Sequence, residues 1–368
     1  MKNQKTTEAV LLLEDGTIYR GQSLGKIGTS GGELCFNTGM TGYQEIFTDP
    51  SYFGQIVITT VSHVGNYGVQ QEEVESENIQ IRGLVCKDFS HQFSRKTAEG
   101  SLQEYFEKAG VVGICEIDTR ALVRHIRDKG AMNAVISSEI TDVAELQTYL
   151  NSVPSMAGLE LSSHVSTAAI YELKPEDAKY RVAVLDLGIK KNIINNLVSR
   201  GCEVKVFPYN TSFEEMEKWN PDGYFISNGP GDPAATTDAV KNVRLMLEKN
   251  KPLFGICLGH QVLAEANGIA TYKMHNGHRG LNHPVKNLIT GRSEITSQNH
   301  GFVVDAEQLK SHPNIEVTHV NLNDNTIEGI RMKSKPAFSV QYHPESSPGP
   351  HDSTYLFDEF VAILEKSK

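Results

Sequence analysis

Between residues 181 and 266 the sequence alternates strictly between short apolar runs and amphipathic runs, and this alternation leaves few folds open. The runs at 181–187, 203–207, 223–227 and 252–256 read as buried strands. The intervening stretches at 190–199, 213–219 and 237–248, and the one at 258–266, have helical spacing. Strand–helix repeats of this length build a parallel sheet with helices on both faces, because each crossover must return along one face of the sheet. The tail at 282–345 is richer in strands, and an amphipathic helix at 353–365 follows it.

The first half follows no such rule. Runs at 9–13 and 17–19 flank Asp15-Gly16, a hairpin signal. Asp118 is placed to cap a helix through Asp128, with Leu122, Val123 and Ile126 on one face and Gly130 after it. A further helix is expected at 141–150. The Ser-rich stretch 151–179 reads as a boundary. A chain of 368 residues exceeds one ordinary domain, so two are expected: a mixed α/β domain at 1–170 and a doubly wound, mostly parallel α/β domain at 180–368.

Charge and cysteine usage narrow the function classes. With 35 basic and 45 acidic residues the net charge is −10, which disfavours a nucleic-acid-binding surface. No apolar run approaches the ~20 residues of a membrane span, and the polar stretch 1–10 does not look like a signal segment. Cys35, Cys86, Cys115, Cys202 and Cys257 are odd in number and form no C-x-x-C pair, which points to a reducing, cytoplasmic setting. Cys35, Cys86, Cys115 and Cys202 have apolar neighbours and read as small core residues. His275, His278 and His283 are clustered, but no cysteine or carboxylate completes a metal set, and none is expected.

Cys257 is different. In Gly255-Ile256-Cys257-Leu258-Gly259 it follows a buried strand, precedes a helix and has a glycine two residues away on each side. That is the layout of a nucleophile held on a sharp strand-to-helix turn. The helix N-terminus favours a thiolate, and the Leu258 N–H is available to a developing oxyanion. A thiol nucleophile needs a base and the base an orienting group. His343-Pro344-Glu345 ends an apolar strand, and side chains two apart in extended chain share a side, so Glu345 can orient the His343 ring. A third segment, Asn228-Gly229-Pro230-Gly231-Asp232-Pro233, also follows a strand of the same sheet, where open α/β sheets bind ligands. The Gly229 N–H is a candidate second oxyanion donor. In Gln298-Asn299-His300-Gly301-Phe302, backbone groups and an Asn amide can hold a ligand's ammonium and carboxylate while Phe302 packs on its methylenes.

Together these segments resemble the class I (triad) glutamine amidotransferases throughout residues 180–368. The front half resembles the small-subunit domain of carbamoyl-phosphate synthase, through Phe36-Asn37-Thr38-Gly39-Met40-Thr41-Gly42-Tyr43-Gln44-Glu45, Thr48-Asp49-Pro50-Ser51-Tyr52, His63-Val64-Gly65-Asn66 and Ile117-Asp118-Thr119-Arg120. Gly277-His278-Arg279-Gly280-Leu281-Asn282-His283-Pro284-Val285 adds to it. The resemblance implies glutamine hydrolysis by Cys257, His343 and Glu345. It implies glutamine contacts from Ser51, Gly229, Gly231, Leu258, Gln261, Asn299, Gly301 and Phe302. It also implies ammonia transfer through a tunnel to a large subunit that combines it with bicarbonate using ATP and Mg, with no cofactor in this chain. The heterodimer so formed leaves room for a higher oligomer, and its product would serve pyrimidine or arginine formation. The back half alone leaves open an amidotransferase for another synthase, and a non-catalytic regulatory subunit is the remaining alternative.

Overall fold

The computed structural model describes residues 7–368. The start of the polar amino-terminal stretch discussed above, residues 1–6, lies outside the described residues. The chain divides into two compact units, Met1–Met156 and Ala157–Lys368.

The first unit is built on a closed barrel of seven strands. In chain order its elements are β1 (Glu8–Leu13), β2 (Ile18–Gly25), β3 (Thr29–Asn37), α1 (Tyr43–Thr48), β4 (Gln55–Thr59), β5 (His63–Val64), β6 (Gly83–Val85), β7 (Asp88–Phe89), α2 (Leu102–Ala109), β8 (Val112–Cys115), α3 (Thr119–Lys129), β9 (Met132–Ser137) and α4 (Val143–Leu150). The barrel order is β1-β2-β8-β6-β4-β3-β9, and β9 closes it by pairing antiparallel with both β1 and β3. The short β5 and β7 pair separately. Strand β1 is buried on both sides, which explains its unbroken apolar run. Val10 and Leu12 pack with Leu146 and Leu150 of α4, while Leu11 and Leu13 join the core shared with Leu122 and Ile126 of α3. The β1–β2 hairpin forms as the Asp15-Gly16 signal predicts. Asp118 caps α3, accepting the Ala121 N–H at 2.9 Å. The barrel itself is not expected from the sequence.

The second unit carries a ten-stranded sheet in the order β10-β12-β11-β13-β14-β19-β18-β17-β15-β16. Its elements are α5 (Ser162–Val165), β10 (Tyr171–Leu173), β11 (Tyr180–Asp186), α6 (Lys191–Val198), β12 (Cys202–Pro208), α7 (Phe213–Lys218), β13 (Gly223–Ile226), α8 (Thr237–Glu248), β14 (Leu253–Ile256), α9 (Leu258–Ala266), β15 (Thr271–Asn287), β16 (Ser293–Val304), α10 (Ala306–Lys310), β17 (Ile315–Asn321), β18 (Ile327–Met332), β19 (Ala337–Val340) and α11 (Tyr355–Lys366). The block β12-β11-β13-β14-β19 is parallel, and the strands from β18 to β16, with β10 at the far edge, are antiparallel. Alternation along β11 divides the core. Ala183 and Leu185 pack under α7, α8 and α9, whereas Val182 and Val184 pack under α6 and α11. This is the doubly wound architecture the alternating sequence predicts.

The stretch read as a boundary is not a linker throughout. From Ala157 it belongs to the second unit, where α5 forms and β10 adds an edge strand beside β12. Strand β10 has only three residues, all exposed, too few to show a period in the sequence. Cys35, Cys86, Cys115 and Cys202 are buried and reduced.

Candidate functional site

Four adjacent parallel strands, β11, β13, β14 and β19, end on one rim of the sheet. The segments that leave their carboxyl ends carry Lys190, Asn228 with Gly229, Cys257, and His343 with Glu345. Placing side chains there is inherent in the topology, because each loop must turn from strand to crossover at that edge.

The turn after β14 is tight. Cys257 has φ 54° and ψ −102°, a left-handed backbone value rarely adopted by a residue with a side chain. The flanking glycines make it feasible. A Cβ on Gly259 would lie 2.2 Å from the Ile226 carbonyl oxygen, and one on Gly255 would lie 2.7 Å from the Gly259 carbonyl oxygen. Helix α9 begins at Leu258, whose N–H has no acceptor within the helix. The Cys257 thiol is buried. Its Sγ donates to the Asn299 carbonyl at 3.6 Å and accepts from Gln341 Nε2 at 3.7 Å.

His343 Nδ1 lies 2.7 Å from Glu345 Oε1, so the orienting contact is made between residues two apart. Its Nε2 has no hydrogen-bond partner of ordinary length. Burial disfavours the charged ring, but the Glu345 carboxylate and the Cys257 thiol outweigh it and lift the His343 pKa to about 10. Burial likewise works against the Glu345 anion, yet Lys190 and His343 hold its pKa down to about 2. Lys190 Nζ donates to Glu345 Oε1 at 2.8 Å and to the Ser347 carbonyl at 2.6 Å, with both charged side chains almost fully buried. Lys190, Glu345, His343 and Cys257 thus form a buried line of alternating charge capacity.

The segment 298–302 reaches this site on β16. The His343 N–H donates to the Ser297 carbonyl at 2.9 Å, and Gln261 Nε2 donates to the Phe302 carbonyl at 2.8 Å and to Gln341 Oε1 at 3.0 Å. Asn299, Phe302, Gln261 and Leu258 are all buried, the Asn299 carbonyl in contact with the thiol, and Gly301 lies between Asn299 and Phe302. The Gly229 backbone passes against the Leu187 carbonyl and the Leu258 side chain, at the start of α9. Gly231 instead bridges to Glu160, beside Leu159 and Leu161. Ser51 belongs to the first unit. It sits in a single 3-10 turn, Pro50–Tyr52, where its N–H donates to Asp49 Oδ1 at 2.9 Å.

One group of possible metal ligands exists among the described residues: His278, His300 and Glu328, with ligand atoms within 4.8 Å of one another. His275 and His283, the neighbours considered from sequence, are not in it. Both His300 ring nitrogens and both Glu328 oxygens already contact protein polar atoms, so the group reads as a hydrogen-bond network.

Residues 183–363 match the family model of class-I glutamine amidotransferases, and residues 11–136 match that of the carbamoyl-phosphate synthase small chain, CPSase domain. The chain is 50% identical over 362 residues to the carbamoyl phosphate synthase small chain of Chlorobaculum tepidum, covering 98% of both chains. It is 49% identical to that of Nostoc sp., covering 98% of this chain and 96% of the relative. It is also 49% identical to that of Aquifex aeolicus, covering 97% and 99%. This chain belongs to the carbamoyl phosphate synthase small chain family. Its second unit is accordingly a glutamine amidotransferase domain, and the residues of that unit set out above are its candidate site.

Two polar residues of this small chain's site carry no strong local signal in the sequence. Lys190 reads as the start of a helix, and Gln341 as part of an apolar strand end. The available clue to Lys190 is its position just past a parallel strand, on the rim where α/β sheets bind ligands. Its carboxylate partner is 155 residues away, beyond any local pattern.

Proposed function

We propose that this chain hydrolyses L-glutamine at Cys257 and passes the ammonia through an internal tunnel to a carbamoyl-phosphate synthase large subunit. The observation that carries the reading is the buried line Lys190–Glu345–His343 beside the Cys257 thiol, in which the carboxylate holds the imidazole ready to take up a proton. The thiolate attacks the side-chain amide carbon of glutamine, forming a tetrahedral oxyanion. The N–H groups of Leu258 and Gly229 are its candidate donors. The His343 imidazolium gives its proton to the departing nitrogen, ammonia leaves, and a γ-glutamyl thioester remains. Neutral His343 then takes a proton from water, the hydroxide adds to the thioester carbon, and the C–S bond breaks to give glutamate and the thiolate. Glu345 holds the ring and stabilises its positive charge throughout, and Lys190 fixes Glu345.

Asn299, Gly301, Phe302 and Gln261 hold the glutamine backbone groups and methylenes, with Gly231 and Ser51 as further contacts. The first unit docks the large subunit, which binds ATP and Mg and uses bicarbonate. The assembly works in the cytoplasm as a heterodimer or a multiple of it, and its carbamoyl phosphate serves pyrimidine or arginine formation. Ammonia released early would be protonated in water and lose its nucleophilicity, so hydrolysis is coupled to readiness at the large subunit.

The test is steady-state glutamate production by the chain alone, with the large subunit, and with the large subunit plus ATP and bicarbonate. Rates should rise across the three states. Equal rates in all three would argue for an independent glutaminase, and absence of glutamate in all three would overturn the reaction itself.

A further inference from the structure

Strand β16, which carries Asn299 and Phe302, pairs antiparallel with β15 from Ser293 to Val304, in three blocks separated by two register shifts. His278, Arg279 and Gly280 face His300, Asn299 and Gln298, and the register shifts on both sides, between Lys273 and His278 and between Gly280 and His283. The middle block, which holds Gln298, Asn299 and His300, spans three pairs between these irregularities, and a slip of one residue within it would turn Asn299 to the other face. A side-chain contact across this block would reinforce the ladder there.

His278 is placed to do so. It stands directly opposite His300, with the two rings edge-on and 5.0 Å apart. Its Nε2 lies 2.9 Å from Asp324 Oδ2, in the turn between β17 and β18, and its Nδ1 lies 3.6 Å from Glu328 Oε1 on β18. Glu328 is fully buried and accepts from Asn321 Nδ2 and from Gln298 Nε2, each at 2.9 Å. Gln298 Oε1 is 2.9 Å from His300 Nε2, and His300 Nδ1 is 2.9 Å from the Phe302 carbonyl, which also accepts from Gln261. The chain of contacts thus runs from β17–β18, through His278 and Glu328, into each end of the 298–302 segment.

We propose that His278, braced by Asp324 and Glu328, is a positioning residue that locks the 298–302 segment in register and thereby sets the affinity for glutamine without taking part in the thiol chemistry. The inference rests on the glutamine-site reading of that segment given above. Ordinary burial would leave His278 neutral, but the two carboxylates outweigh burial and raise its pKa to about 9, so the ring is charged at neutral pH. Burial, with that charge added, in turn holds His283 neutral, at a pKa of about 4. The ring therefore links two carboxylates on one side of the hairpin to the substrate strand on the other.

The experiment compares full-length His278→Asn and Asp324→Asn with wild type. It measures KM and kcat for glutamine by glutamate release, and the rate of Cys257 alkylation by iodoacetamide, which is not a glutamine analogue. For His278→Asn, KM should rise about tenfold or more, with kcat and the alkylation rate within about twofold of wild type. Asp324→Asn, on the half-exposed turn, should move KM in the same direction by less. A wild-type KM in both variants would overturn the proposal. So would a fall in kcat and alkylation together with KM in His278→Asn while Asp324→Asn stays at wild type, since that is general disruption of the fold. If wild-type chain releases no glutamate, the functional reading fails instead, and the two failures are distinguishable.

Discussion

At the scale of single residues, the site works by stacking charges where water is excluded. Glu345 alone would be disfavoured as a buried anion, and His343 alone as a buried cation. Each is charged because the other is, and Lys190 completes the balance. Replacing His343 with Asn removes both the acid and the base, so glutamate release should fall by about 10³-fold or more. Glu345→Gln keeps the ring's place but loses the anion, and should cost less, about 10–100-fold in kcat. A Glu345 variant slower than the His343 variant would reverse the assigned roles. The pH dependence of stability has a definite sign. The His343 value is raised in the folded state, so its contribution is full below its unfolded value of 6.5 and is lost as pH rises through about 10. The Glu345 value is depressed, so its contribution is present above its unfolded value of 4.5 and lost as pH falls through about 2. Wild-type urea midpoints should therefore decline between pH 7 and 9.5 more than those of Glu345→Gln, in which the anion that raises the imidazole value is gone. Equal declines in the two proteins would show that Glu345 does not set the protonation of His343.

At the scale of elements, the strand–turn–helix of β14 and α9 decides whether a nucleophile can exist here. Ala at position 259 would put a methyl carbon 2.2 Å from the Ile226 carbonyl oxygen, a rigid backbone neighbour that cannot swing away. Gly259→Ala should destabilise the chain by about 3 kcal/mol and lower its Tm, with glutamate release lost in parallel. An unchanged Tm, read by scanning calorimetry, would mean that the turn is looser than described. The same elements show what the sequence makes legible. The Cys257 turn is readable because its steric demand is local: two glycines at fixed offsets from one cysteine. The His343 and Glu345 relation is readable because two residues apart on extended chain is also local. Lys190 is not readable, since its meaning depends on a carboxylate in a distant segment. The long β15–β16 hairpin begins at Thr271, ahead of the strand-rich tail expected from 282, because polar residues such as Lys273, His275 and His278 fill its first half and hide the apolar alternation.

At the scale of the whole molecule, the two units differ in how much of their architecture is written in local pattern. In the second, each parallel strand is followed by a helix, so periodicity alone implies a doubly wound sheet. In the first, the barrel closes through β9, which reaches back to both β1 and β3. Closure of that kind leaves no periodic trace, and the mixture of parallel and antiparallel neighbours around the ring has no regular spacing to detect. Among the described residues no helix is long and apolar enough to cross a membrane. The relatives matched across nearly the full chain carry both units, so both belong to the family's small chain. The proposed reaction at Cys257 and the proposed synthesis on a partner are tested together by one measurement. The chain with Cys257→Ser is assembled with the large subunit, and carbamoyl phosphate formation is followed with either glutamine or ammonium chloride as nitrogen source. Glutamine-dependent synthesis should vanish while ammonia-dependent synthesis stays near the wild-type rate, because ammonia from solution bypasses the thiol. Glutamine-dependent synthesis persisting at the wild-type rate would contradict the account.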